Sequence, residues 1–202
     1  MISVYLLKKN FQNILRPLSD TLFKIGVTAN QVTISAFILS ILAGGVIYYY
    51  APKTTLAYAV LPIILFVRMA LNAIDGMLAR EHDQKSRLGA ILNELGDILS
   101  DIVIYVPLLY VCHLRYSIIL LFSLLTLISE TVGIMGIQIN ASRRYDGPMG
   151  KSDRAFWLGL IALWLIFKPI PANIFNIILG IIILLLVYTI FNRIKNALNE
   201  EQ

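Results

Sequence analysis

Asn72-Ala-Ile-Asp75-Gly76-Met-Leu-Ala79-Arg80, followed by Gly89, Asn93, Glu94, Asp97 and Asp101, sets amide and acidic side chains inside two otherwise apolar helical stretches. An ionisable side chain at the centre of a membrane helix costs about 2.5–3.5 kcal/mol on insertion scales, so several at helical spacing mark a functional site. Asn72 and Asp75 stand in i, i+3 relation and Asn93 and Asp97 in i, i+4 relation, which places each pair on one face of its helix. Gly76 and Gly89 remove side chains beside the cluster and let a ligand approach closely. Tight helix packing is the competing reason for the same two glycines.

The medium follows from composition. The 202 residues are 58% hydrophobic and 14% charged, with a mean hydropathy of +0.76, which is far from a soluble average and identifies an integral membrane protein. One cysteine, Cys112, excludes an internal disulfide, and no Cys/His group has zinc spacing. No cleaved leader is expected, because the N-terminus mixes Lys8, Lys9, Arg16, Asp20 and Lys24 with apolar residues. The net charge of +5 suits a lipid bilayer with anionic headgroups as the partner, and no nucleic acid polymer is expected.

Apolar runs near 31–50, 56–80, 88–112, 117–139, 154–169 and 172–192 predict about six spans of roughly 20 residues each. The predicted fold class is all-α, an integral membrane helical bundle. A single domain over 1–202 is expected, with 1–29 as an interfacial amphipathic helix and 30–202 as the transmembrane bundle. Lys and Arg concentrate on one face: the N-terminal segment, the 80–87 and 143–154 connections, and Arg193 with Lys195. The positive-inside rule then puts both termini and the polar cluster on the cytoplasmic side, of the cytoplasmic membrane in a bacterium. At about 1.5 Å of rise per residue, Arg68 lies about 18 Å from Arg80 and Asp101 about 20 Å from Leu88, so the two can meet as a buried pair. Glu130, mid-span, either joins them or lines a cavity.

Oxygen donors of carboxylates and amides suit hard cations, and Mg²⁺ is usually shared with substrate phosphates. The sequence at these positions reads Nx2DGx2ARx8Gx3Nx3D. It resembles the signature of the CDP-alcohol phosphatidyltransferases, Dx2DGx2ARx8Gx3Dx3D, with Asn72 and Asn93 in place of two aspartates. Thr28-Ala-Asn30-Gln-Val-Thr33 is similar to the family's TPNxxT element with its proline changed to Ala29.

The resemblance implies transfer of a phosphatidyl group from a CDP-alcohol such as CDP-diacylglycerol to an alcohol acceptor, with release of CMP, in phospholipid biosynthesis. It implies Mg²⁺ or Mn²⁺ on Asn72, Asp75, Asn93 and Asp97, with Asp97 also the general base. Asn30, Thr33, Gly76, Ala79, Arg80 and Gly89 would hold the nucleotide and pyrophosphate, and a homodimer is implied. An amide ligates without charge, so metal binding should weaken, and Glu94 or Asp101 could lend a ligand. Arg143, Arg144, Lys151 and Arg154 are candidates for gripping a phosphate of the acceptor or the CDP-lipid; the positive-inside rule alone also accounts for them. The alternatives are a homologue that binds CDP-lipid with little or no turnover, a prenyl-diphosphate transferase, and a small transporter using Asp75, Asp97, Asp101 and Glu130 as an ion path.

Overall fold

The computed structural model describes the backbone of residues 4–200 and the side chains of residues 10–200. Seven α-helices run through the described residues: α1 Val4–Lys24, α2 Ala29–Tyr50, α3 Val60–Glu81, α4 Arg87–Val111, α5 Tyr116–Met135, α6 Lys151–Phe167 and α7 Ala172–Leu198. Short 3-10 turns at Thr55–Ala59 and Gly136–Ile139 lead into α3 and out of α5. Four stretches are long and apolar enough to cross a membrane: Ala29–Tyr50, Thr55–Glu81, Tyr116–Ile139 and Ala172–Leu198. Their outward residues are bulky and apolar, such as Ile34, Ile38 and Leu42 on α2 and Ile177, Ile181 and Leu184 on α7. Surface of that extent facing outward belongs in lipid. The other two expected spans fall on α4 and α6.

The chain divides into two compact units, Met1–Ala43 with Ile63–Asp101, and Gly44–Pro62 with Ile102–Gln202. In the first, α1 ends in a Schellman turn. Gly26 takes a φ of 82°, with Gly26 N donating to the Phe23 carbonyl and Val27 N to that of Leu22, each at 2.9 Å. Thr28 and Gln31 then cap α2 reciprocally, Thr28 N to Gln31 Oε1 at 2.9 Å and Gln31 N to Thr28 Oγ1 at 3.3 Å. Ala29 N is taken up by Gln84 Oε1 at 2.7 Å. An apolar core of Ala29, Val32, Ile74, Met77 and Leu78, flanked by Leu15, Leu22 and Val27, joins α1, α2 and α3. At its rim Arg16 meets Glu81 at 3.0 Å, and Asp20 meets His82 at 3.2 Å, whose ring stacks on Phe23.

In the second unit α5 packs along α7, and the Met149–Gly150 turn is held where Met149 N donates to Thr189 Oγ1 at 3.0 Å. Within this unit Glu130, Arg154 and Arg193 lie almost fully buried.

Candidate active site

Three helices of the first unit, α2, α3 and α4, bring the polar residues together. Thr33, one turn into α2, donates its hydroxyl to Asp75 Oδ2 at 2.7 Å. Asn72, one turn before Asp75 on α3, donates its amide nitrogen to Asp97 Oδ1 at 3.0 Å. Arg68, a further turn back, places Nη1 on Asp101 Oδ1 at 3.1 Å. Its Nη2 lies 3.6 Å from Asp97 Oδ1 and donates to the Asp97 carbonyl at 3.4 Å. The spacing explains the order: residues 68, 72 and 75 follow the three-to-four repeat of one helix face, as do 93, 97 and 101 on the other. Asp75 is 6% exposed, Arg68 4% and Asp101 1%. The Asp97 side chain is 18% exposed, so it is the most accessible of the three acids.

The two glycines mark close approach. A Cβ on Gly89 would stand 2.6 Å from Asn30 Oδ1 and 2.9 Å from Ser86 Oγ, so any larger residue would push the Asn30 amide and the Ser86 hydroxyl away from the first turn of α4. Ser86 caps that turn through Gly89 N at 2.9 Å. Beside Gly76, a Cβ would meet the Arg80 guanidinium at 2.9 Å, so the exposed Arg80 side chain folds back over the backbone next to Asp75. Ala79 packs against the α1–α2–α3 core. Asn93 is half-buried one turn before Asp97, and Glu94 is half-buried beside it in sequence.

The remaining candidates lie in the second unit and have partners there. Arg154 is 0% exposed and donates to Glu130 Oε1 at 3.0 Å and to the Met149 carbonyl at 3.2 Å. Arg193 reaches the same Glu130 oxygen at 3.4 Å and the Ser129 carbonyl at 2.5 Å. Arg144 grips Asp146 with two nitrogens, at 2.7 and 3.0 Å, and Glu200 at 2.5 Å. The Arg144 bonds hold the Asp146 carboxyl below its usual range, and bonds from Ser142 and then Arg144 lower that of Glu200. Arg143 lies over the Tyr145 ring, 4.6 Å from its centroid, and Lys151 is half-buried at the start of α6.

Three contributors escape a reading of the sequence by stretches. Gln84 caps α2 from 55 positions away. Arg193 counts toward the cytoplasmic charge bias, yet its burial against Glu130 shows only once α5 and α7 are packed. Thr33 is a nucleotide candidate by resemblance, and its bond to Asp75 is a further contact that the resemblance did not indicate. A polar residue one turn into the first apolar span was the one available signal for that bond.

The model of the CDP-alcohol phosphatidyltransferase family matches residues 26–198, and the chain belongs to that family. It is 43% identical over 197 residues to the inner membrane protein YnbA of Escherichia coli (strain K12), which spans 98% of this chain and 97% of that protein. It is 38% identical over 87 residues, 43% of each chain, to the archaetidylinositol phosphate synthase of Pyrococcus horikoshii. The fold is similar to that of Mycobacterium tuberculosis phosphatidylinositol phosphate synthase (PgsA1) at 19% identity. The structure in complex with manganese and citrate gives a TM-score of 0.71 over 91% of this chain and 88% of that one. The structure with CDP-DAG bound gives 0.71 over 93% and 94%.

Proposed function

We propose, from membership of the CDP-alcohol phosphatidyltransferase family, that this membrane protein transfers a phosphatidyl group from a CDP-alcohol such as CDP-diacylglycerol to an alcohol acceptor. The observation that carries the reading is that two carboxylates on α3 and α4 are each held in place, Asp75 by Thr33 and Asp97 by Asn72 and Arg68. Among the relatives, a synthase crystallised with manganese and with CDP-DAG supports the same chemistry.

The donor set fits a hard divalent ion, Mg²⁺ or Mn²⁺. Asp75 and Asp97, with the amide oxygens of Asn72 and Asn93, are oxygen donors. Among the described residues no group of three or more His, Cys, Asp or Glu forms a cage of its own, which suits an ion shared with substrate phosphates. When bound, the ion neutralises the charge that develops on the phosphate. Asp97 takes the proton of the acceptor hydroxyl, the alcohol oxygen bonds to the lipid-side phosphorus, and the anhydride bond to CMP breaks. Asn72 and Arg68 fix the orientation of that carboxylate, and Arg80, Asn30 and Gly89 are the groups at hand for the nucleotide and pyrophosphate.

We read residues 1–202 as one domain with six spans, α2 to α7, and α1 as the interfacial helix. In the first unit Asn30 lies against Gly89; in the second the Val103 carbonyl fills the space of a Cβ on Gly44, and Tyr48 and Tyr110 are 5.5 Å apart. Pairing from 30/89 to 48/110 supports α4 crossing with α2. Just before α6, Met149 meets Thr189, while Lys168–Pro171 turns directly into α7, so the 17 residues of α6 run about 25 Å beside a span. The positive-inside rule supports cytoplasmic termini and site. In a Cys112→Ser background, a cysteine at Ser152 should be labelled from the cytoplasmic side only and one at Thr55 from the opposite side only.

The experiment for the reaction is CMP release from CDP-diacylglycerol by the purified protein with Mg²⁺ or Mn²⁺ across a panel of alcohols. Cytidine-nucleotide binding without turnover on any alcohol selects the inactive-homologue reading. No cytidine binding and no metal dependence sinks the proposal. The homodimer is tested by cross-linking in membranes.

A further inference from the structure

We propose that Gln84 is a positioning residue for the cytidine nucleotide: its side-chain carbonyl holds the first turn of α2 so that Asn30 stays seated against Gly89. This role rests on the transferase reading, in which Asn30 and Gly89 hold the nucleotide and pyrophosphate. Ala29 N donates to Gln84 Oε1 at 2.7 Å across 55 positions of sequence, and Ala29 is 6% exposed. An N–H at the first position of a helix has no partner inside that helix. When it is buried, an acceptor from elsewhere decides how the turn is held.

The residue at position 29 makes that acceptor necessary. In the TPNxxT element it is a proline, which suits the first helical position because its ring fixes φ and it carries no N–H. Ala29 has neither property, and the bond to Gln84 both satisfies its N–H and restrains the turn from outside the helix. The two solutions exclude each other, since the Cδ of a proline at 29 would stand where Gln84 Oε1 now lies. The same α3–α4 connection also seats the far side of Asn30. Ser86, two residues on, caps α4 through Gly89 N at 2.9 Å, and a Cβ on Gly89 would lie 2.6 Å from Asn30 Oδ1. Asn30 therefore sits between a turn tied by Gln84 and a turn tied by Ser86, with the Thr28–Gln31 box closing the α2 cap.

The test is a CMP binding titration of the purified full chain, with thermal unfolding and steady-state kinetics on CDP-diacylglycerol alongside. Gln84→Ala should raise the Kd for CMP and the KM for CDP-diacylglycerol about 3- to 10-fold, the usual worth of one hydrogen bond, with kcat unchanged. Adding Ala29→Pro to Gln84→Ala should restore the wild-type Kd, because the proline holds the turn without the carboxamide. In an Asn30→Ala background, Gln84→Ala should add little to the Kd, as coupled residues are not additive. A lower unfolding temperature of Gln84→Ala with an unchanged Kd would make the residue merely structural and overturn the proposal. A defect that Ala29→Pro leaves in place, or one fully additive with Asn30→Ala, overturns it as well, because Gln84 would then act on the nucleotide by another route. The whole pattern in CMP binding, with no CMP released from CDP-diacylglycerol on any alcohol, supports the positioning role and defeats the transferase reading instead. A wild-type protein that binds no CMP defeats both.

Discussion

Asp97 receives two positively polarised groups on one oxygen, and each comes from a different turn of α3. That arrangement predicts the behaviour of its nearest isostere. Asp97→Asn keeps the size and loses the proton acceptor, so turnover should fall by about 10²–10⁴-fold, the range for a lost general base, while CDP-lipid binding persists. Retained turnover, followed as CMP release alongside a binding titration, would show that another group takes the proton. Part of this site is legible in the sequence. The helical repeat ranks residues 68, 72 and 75 on one face and 93, 97 and 101 on the other, and the rise per residue sets Arg68 at the depth of Asp101. The Thr33–Asp75 bond is not legible, because the partners are 42 residues apart on different helices and no local spacing relates them.

Among the elements, α2 owes its start to the Thr28–Gln31 box, in which each backbone N–H is bonded by the other's side chain. Thr28→Ala removes one half of the reciprocal cap and should cost about 1 kcal/mol, read as a lower unfolding temperature of the purified protein in detergent. The α5–α7 pairing depends on charge. Glu130 is shared by two guanidinium groups that are 0% and 1% exposed. Glu130→Leu leaves both without their carboxylate and should destabilise by about 3–5 kcal/mol. Arg154→Met in addition should cost less than the sum of the single changes, and strict additivity of the two would mean the groups are not coupled. Arg154 and Arg193 share the single carboxylate of Glu130, whereas Arg144 is paired to both Asp146 and Glu200. α4 and α6 fall outside the stretches picked out by length and composition for different reasons. α4 carries Glu94, Asp97 and Asp101 within its apolar run, whereas α6 has only 17 residues.

Over the whole molecule, the segment Ser142–Asp146 is tied to the C-terminal end of the chain by Arg144, Asp146 and Glu200. Both carboxyls titrate below their ordinary values in the folded protein. Their contribution is therefore complete above the unfolded values of about 4 and disappears as the pH falls through the lowered folded ones. Protection of the 142–146 amides, taken relative to their intrinsic exchange rates, should be constant between about pH 7 and pH 5 and should fall below about pH 4, whereas Arg144→Gln should show the lower protection at neutral pH already. A loop whose protection followed pH identically in both proteins would contradict the clamp.

The linear chain by itself determined the medium, the all-helical class, the family and the identity of the polar cluster. Each of these depends on local quantities: mean hydropathy, the helical repeat and the spacing of a signature along two helices. Only the tertiary structure decided which atoms face one another. It turned Asn72 toward Asp97 as a donor, gave Asp75 its hydroxyl from α2, and sealed Arg154 and Arg193 around Glu130. Those outcomes depend on distances between helices far apart in sequence, where burial favours the pairing of polar atoms and the packing of neighbouring backbones dictates which partner each one meets.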